Sequence, residues 1–192
     1  DSLATLLKGY GYETRAFHPG EQTSWQRNIA YPRLGFDSFK CGEDMDVPQT
    51  EEHGYVSDDS DFEQIIWEFE HKDESTPLFL FNVTIQNHGS YTVEDYPAEV
   101  QLTDEPGKYP MAEQYLTLAN KTDEAFRLLV DYFSRQQQPT IILMFGDHQP
   151  SVEQEFLDKM EPESREQTML LLDDLLEWTY QDLRTAYCSG VE

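Results

Sequence analysis

Two short runs constrain most what this chain can fold into: Pro77-Leu-Phe-Leu-Phe-Asn-Val-Thr-Ile85 and Thr140-Ile-Ile-Leu-Met-Phe145. Both are nearly continuous in apolar residues and rich in β-branched and aromatic side chains, as expected of strands covered on both faces. They read as central parallel strands. Between them Phe126, Leu129, Val130 and Phe133 fall at i, i+3, i+4 and i+7, the stripe of an amphipathic helix, which stops near Gln136-Gln137-Gln138-Pro139. Strand, helix, strand is a crossover unit, and it predicts an α/β sandwich whose mainly parallel central sheet is flanked by helices.

The remaining signals fill in the outline. Residues 2–9 read as a short helix and 13–17 as a strand. Ser60-Asp-Phe-Glu63 fits a capping box, with Phe62, Ile65, Ile66 and Phe69 on the buried face of the helix it starts. Residues 41–59 and 91–110 read as surface loops. Ser151-Val-Glu-Gln154 is a second capping-box match, and 169–183 predict a helix with Leu172 and Leu176 on one side. No third buried apolar run follows it, so the sheet is expected to be incomplete. With 192 residues and no internal repeat, one domain over 1–192 is the expectation.

Charge narrows the partners. The chain carries 13 Lys+Arg against 38 Asp+Glu, a formal charge of −25, which disfavours nucleic acid and an anionic membrane face. The distribution is uneven. Residues 1–40 hold five basic groups and four acidic ones, so an anionic ligand finds its local exception there. Cys41 and Cys188 lack the spacing of a metal or redox pair and read as ordinary thiols. No run approaches the ~18 apolar residues of a membrane span, and no signal peptide opens the chain, so it reads as soluble, with any export segment lying outside it.

Three segments can carry chemistry. Phe145-Gly146-Asp147-His148-Gln149-Pro150 follows a predicted strand, where ligands of open α/β sheets collect. Its adjacent carboxylate and imidazole could reach one divalent ion; the alternative is an Asp that caps a turn beside an exposed His. Asn87-His88-Gly89-Ser90-Tyr91 follows the other strand, and two parallel strands ending in His would bring His88 and His148 to one edge of the sheet. His88 could equally be a polar turn residue. Lastly, Phe17-His18-Pro19-Gly20, Ser24-Trp25-Gln26-Arg27-Asn28 and Tyr31-Pro-Arg-Leu-Gly-Phe36 lie in the stretch without excess negative charge. Arg27 offers a planar fork for phosphate and Trp25 a wall for a glycerol or a sugar; an ordinary helix start packed on the sheet is the other reading.

Taken in this order and at these separations, the segments resemble the extracellular domain of lipoteichoic acid synthases and related phosphoglycerol transferases, over roughly residues 3–155, with 156–192 a divergent helical tail. The resemblance implies an alkaline phosphatase-like fold on the extracellular face of the bacterial cytoplasmic membrane, with membrane contact through segments absent from this chain. It implies a divalent ion, most simply Mn²⁺ with Mg²⁺ or Zn²⁺ as alternatives, held by a Glu, a nucleophilic Thr and an Asp-His pair matched here by Asp147 and His148. His88 matches the histidine near the scissile phosphate, and His18, Trp25 and Arg27 match positions that hold glycerol phosphate. The implied reaction transfers glycerol phosphate from phosphatidylglycerol to a polyglycerol phosphate or glycolipid acceptor through a phospho-threonine. The nearest alternatives are a phosphoethanolamine transferase, a sulfatase-like hydrolase and a non-catalytic glycerol phosphate-binding fragment. Neither Thr5 nor Thr14 sits in the nucleophile's motif, so the Thr and the Glu are expected upstream, leaving half a metal site here and a fragment inactive by itself.

Overall fold

The computed structural model describes residues 2–92, 94 and 96–160. Residues 1–151 form one compact unit and 152–192 a second. Of the second unit, 154–160 are helical, starting three residues after the cap predicted at Ser151. The helix predicted over 169–183, and Cys188, lie outside the described residues.

In the first unit α1 (Leu3–Gly9) starts at Ser2, whose hydroxyl accepts from the Thr5 N–H, and leads into β1 (Glu13–His18). A 3-10 turn (Ser24–Gln26), α2 (Arg27–Arg33) and β2 (Ser38–Cys41) follow. Then come a two-residue hairpin of β3 (Glu51–Glu52) and β4 (Tyr55–Val56), α3 (Asp58–Glu70), β5 (Leu78–Asn82) and the long α4 (Pro110–Phe133). The sheet order is β2-β1-β5, with both pairings parallel. Each strand is entered from a helix, which is what parallel pairing requires.

Register sorts the side chains onto two faces. Ala16 lies between Phe39 and Phe81, and Thr14 beside Phe79. This face is covered by Tyr31 of α2 and by Phe36, whose rings meet Phe39, Phe79 and Phe81 at centroid distances of 4.7–6.2 Å. Such aromatic contacts add about 0.5–1.5 kcal/mol per pair beyond area burial. On the opposite face Arg15 and Lys40 both reach the buried Glu68 of α3, and Asn82 donates to Asp61 of α3 at 2.5 Å. The sheet is thus sandwiched, with α2 on one side and α3 on the other. Beyond α3 lies α4, closing a core of Phe62, Ala125 and Leu129 with Ile65, Ile66, Phe126 and Phe133 around it.

The structure corrects several expectations. The segment 140–145 is not a strand: it has no sheet partner, and Ile141, Leu143 and Phe145 are 96%, 81% and 71% exposed. An apolar run signals burial only where a second layer arrives to cover it, and none of the described residues covers this one. The predicted crossover from β5 therefore does not close, and among the described residues β5 pairs on one side only. The parallel crossover that does form runs from β1 through α2 to β2, while the stretch 41–59, expected as a loop, contains the end of β2, the β3–β4 hairpin and the start of α3. The cap of α3 is Ser57, whose hydroxyl accepts from the Ser60 N–H, so the helix starts before the Ser60 box. Val130 of the predicted α4 stripe is exposed, and Ala125 takes its place in the core.

Candidate functional site

The C-terminal end of β1 delivers His18 to the rim of the sheet. Its ring is 2% exposed, and Nδ1 donates to the Val83 carbonyl at 2.7 Å. A carbonyl can only accept, so neutral His18 carries its proton on Nδ1 and presents Nε2 as an acceptor. Nε2 is buried without a hydrogen-bond partner. Burial is the main reason its pKa lies below the ordinary value, and the charges of Arg27 and His88 push the same way against the Val83 bond. His18 is therefore neutral at pH 7. Pro19 and Gly20 fold back over it so tightly that a Cβ on Gly20 would stand 2.6 Å from Nε2.

The turn before α2 sets Arg27. Trp25 and Gln26 adopt φ values of 56° and 54°, in the left-handed region that non-glycine residues rarely occupy. Such backbone strain, of order 1–3 kcal/mol per residue, clusters at functional sites. Trp25 is 85% exposed, and the half-buried Arg27 makes no ion pair among the described residues. Its charge nevertheless reaches His18 and Tyr31. The bland reading of this segment, a helix start packed on the sheet, holds for Tyr31 and Phe36 and not for Trp25.

His88 sits in the turn after β5. Its Nδ1 donates to the Gly89 carbonyl at 2.9 Å, which leaves Nε2 for exchange. The Tyr55 ring lies 5.6 Å away and its hydroxyl 3.4 Å from Nδ1. Tyr55 was not legible in the sequence. The one hint was His53-Gly54, which turns the β3–β4 hairpin with φ values of 55° and 81° and aims Tyr55 inward.

The structure thus sets Arg27 and His88 each within electrostatic reach of His18, with Trp25 on the turn before Arg27. Asp147 and His148 make no hydrogen bond or ion pair with that group among the described residues. Their side chains are 80% and 75% exposed, with Asp147 Oδ2 3.6 Å from His148 Nε2. Asp147 still lies toward the His88 turn: after burial and Tyr115, its charge is the third cause raising the Tyr91 pKa. An adjacent carboxylate and imidazole suit a divalent ion in donor type. In number they do not suffice, and among the described residues no three His, Cys, Asp or Glu side chains gather around one point. The pair can supply two ligands of a site and not a whole one.

The sequence and the fold have counterparts in known proteins. A putative cyclic β-1,2-glucan modification protein of Rhizobium meliloti is 34% identical over 155 residues, 78% of this chain and 23% of that protein. The capsular polysaccharide biosynthesis protein RkpI of the same organism is 28% identical over 144 residues, 75% of this chain and 25% of that protein. The chain thus spans about a quarter of the length of these relatives. Among solved structures, the Streptococcus pyogenes phosphoglycerol transferase GacH, in complex with sn-glycerol-1-phosphate, superposes with a TM-score of 0.55 at 22% identity, over 67% of this chain and 34% of that one. The lipoteichoic acid synthase LtaP of Listeria monocytogenes gives 0.52 at 20% identity over 68% and 32%. A Vibrio parahaemolyticus protein of the alkaline phosphatase superfamily gives 0.52 at 21% over 70% and 32%. The α/β fold is accordingly alkaline phosphatase-like. Since the sulfatase family model matches residues 1–182, nearly the whole length, this chain belongs to the sulfatase family.

Proposed function

We propose that this chain forms the head-group side of an extracellular phosphoglycerol transferase, which moves glycerol phosphate from phosphatidylglycerol to a hydroxyl of a saccharide, glycolipid or polyglycerol phosphate acceptor. One observation carries the reading: a neutral, buried His18 with an unpartnered Nε2 feels the charges of Arg27, which has no ion pair among the described residues, and of the turn histidine His88, in a protein otherwise rich in carboxylates. The likeness to GacH, a phosphoglycerol transferase seen with glycerol phosphate, supports the head group. The relatives named for glucan modification and capsular polysaccharide support a saccharide acceptor.

Each side chain then has a task. The Arg27 guanidinium takes phosphoryl oxygens through its planar fork, without a competing carboxylate. His18 Nε2 accepts a hydrogen bond from a glycerol hydroxyl, which resolves its buried orphan atom. Trp25 covers the glycerol backbone. His88 exchanges a proton with the leaving oxygen through Nε2. Asp147 and His148 would hold a divalent ion as two of its ligands, and when bound it would neutralise charge on the phosphoryl oxygens. Neither Thr5 nor Thr14 serves as nucleophile: the Thr5 hydroxyl donates to the Ser2 carbonyl at 2.9 Å, and the Thr14 hydroxyl donates to Asp37 at 2.9 Å from a buried position. The chain alone is expected to bind without turnover.

Calorimetric titration with sn-glycerol-1-phosphate, with and without Mn²⁺, tests this. Binding weakened at least tenfold in Arg27→Ala supports the reading, on the ~1.5–3 kcal/mol of a charge-assisted hydrogen bond. Equal binding by the variant sinks it. A second reading, a glycerol phosphate-binding module without catalysis, draws on the engaged hydroxyls of Thr5 and Thr14, which leave neither as a nucleophile. It predicts that Mn²⁺ leaves anion affinity unchanged, whereas the enzyme couples the two. Product analysis with the longer parent protein separates phosphoglycerol transfer from phosphoethanolamine transfer and from sulfatase-like hydrolysis.

A further inference from the structure

The turn that presents His88 is anchored by buried polar groups that the chemistry above leaves unused. Thr122, on α4, has one hydroxyl proton to give to Asp58 Oδ2 at 2.5 Å, with the Leu118 carbonyl a more distant acceptor at 3.2 Å, and it accepts from Asn87 Nδ2 at 2.8 Å and Gln86 Nε2 at 3.2 Å. A hydroxyl offers one donor and two acceptor positions, so Thr122 is saturated. Gln86 closes a ring, because its Oε1 accepts from the Asp58 N–H at 2.9 Å where α3 begins. Asp58, Gln86 and Thr122 are all buried. On the outer side the Asn87 carbonyl accepts from the Tyr91 hydroxyl at 2.7 Å, and the His88 N–H donates to the Ile85 carbonyl at 2.9 Å. The two residues before His88 are therefore tied by their side chains to two helices.

We propose that Thr122, held by Asp58 and sharing Gln86 and Asn87, is a positioning residue for His88. The inference rests on the reading of His88 as the proton-exchanging group. Asp58 Oδ1 is buried without a partner among the described residues, so the constraint comes from the bonds that Thr122 shares with Asp58, Gln86 and Asn87; an ångström of misplacement at a reacting group can lower a rate about a hundredfold.

Thr122→Val keeps the volume and removes the hydroxyl; Thr122→Ser restores it. Two readouts apply. In the 192-residue chain, the imidazole ¹⁵N signals of His88 report its tautomer, expected as a single Nδ1–H form in the unsubstituted chain and in Thr122→Ser, and as an exchanging mixture in Thr122→Val. In the longer parent protein, turnover of a phosphatidylglycerol analogue is expected to fall at least tenfold in kcat with KM within twofold, recovering in Thr122→Ser. Unchanged His88 signals and kcat in Thr122→Val, with only lower resistance to urea, overturn the proposal. Should Thr122→Val fail to fold, Asn87→Ala leaves the buried ring intact and cuts one tie; an undisturbed His88 there overturns the proposal equally. If the unsubstituted parent turns over no phosphoglycerol substrate, the functional reading fails by itself, and the ¹⁵N signals still decide the positioning role.

Discussion

Asp58→Asn should remove a pH dependence from folding. Asp58 is fully buried at the start of α3, and its pKa is pushed up from 3.8 to about 6, chiefly by burial and also by Asp59, against the bond from Thr122. A carboxyl whose folded pKa is raised binds its proton more tightly in the folded state, so its contribution is present in full below the unfolded pKa and is lost as pH rises through the folded one. A rise of about two units at about 1.4 kcal/mol per unit gives about 3 kcal/mol in all. Of this, about 2 kcal/mol is lost between pH 4.5 and pH 7.5, above the sequence pI of about 4.3. Asp61 is also raised, by burial first and then by the Asp58 charge, so removing that charge acts in the same direction. Asparagine keeps an oxygen for the Thr122 hydroxyl. Urea unfolding of both chains at intervals across this range should show the variant gaining, relative to the unsubstituted chain, about 2 kcal/mol as pH rises. A difference that stays constant within about 0.5 kcal/mol would refute the reasoning.

Two further substitutions probe the frame around the site. Phe62→Ala empties the core between α3 and α4 and should lower unfolding free energy by about 3–5 kcal/mol in urea titrations. Gly42→Ala would put a Cβ 2.2 Å from the Pro19 carbonyl oxygen, so the strap over His18 must move. A loss of about 1–3 kcal/mol is expected there, together with weaker glycerol phosphate binding by calorimetry.

The site was legible to the extent that chemistry is local. His18, Arg27 and His88 stood out by residue type and by their place after strands or in the one segment without excess acid, and in the structure the charges of Arg27 and His88 both act on His18. What escaped were contacts made across the chain. Tyr55 reaches His88 from a hairpin of two-residue strands, too short for periodicity to show. Thr122 lies in a helix 34 positions beyond His88, and neither it nor Asp58 differs in local sequence from a solvated helix residue. The Ser60 box misled because Ser57, Ser60 and the intervening acids are all good helix-starting residues, and only the extended backbone at Ser57 selects among them.

By itself the sequence determined α1, β1, β5 and the amphipathic faces of α3 and α4, because periodicity and side-chain chemistry are properties of short segments. Tertiary structure alone decided which apolar runs become sheet. β1 pairs on both sides although its sequence includes Glu13, Arg15 and His18, whereas the far more apolar 140–145 stays exposed. Pairing and burial need a neighbour at the right distance, and a strand's own composition does not supply one.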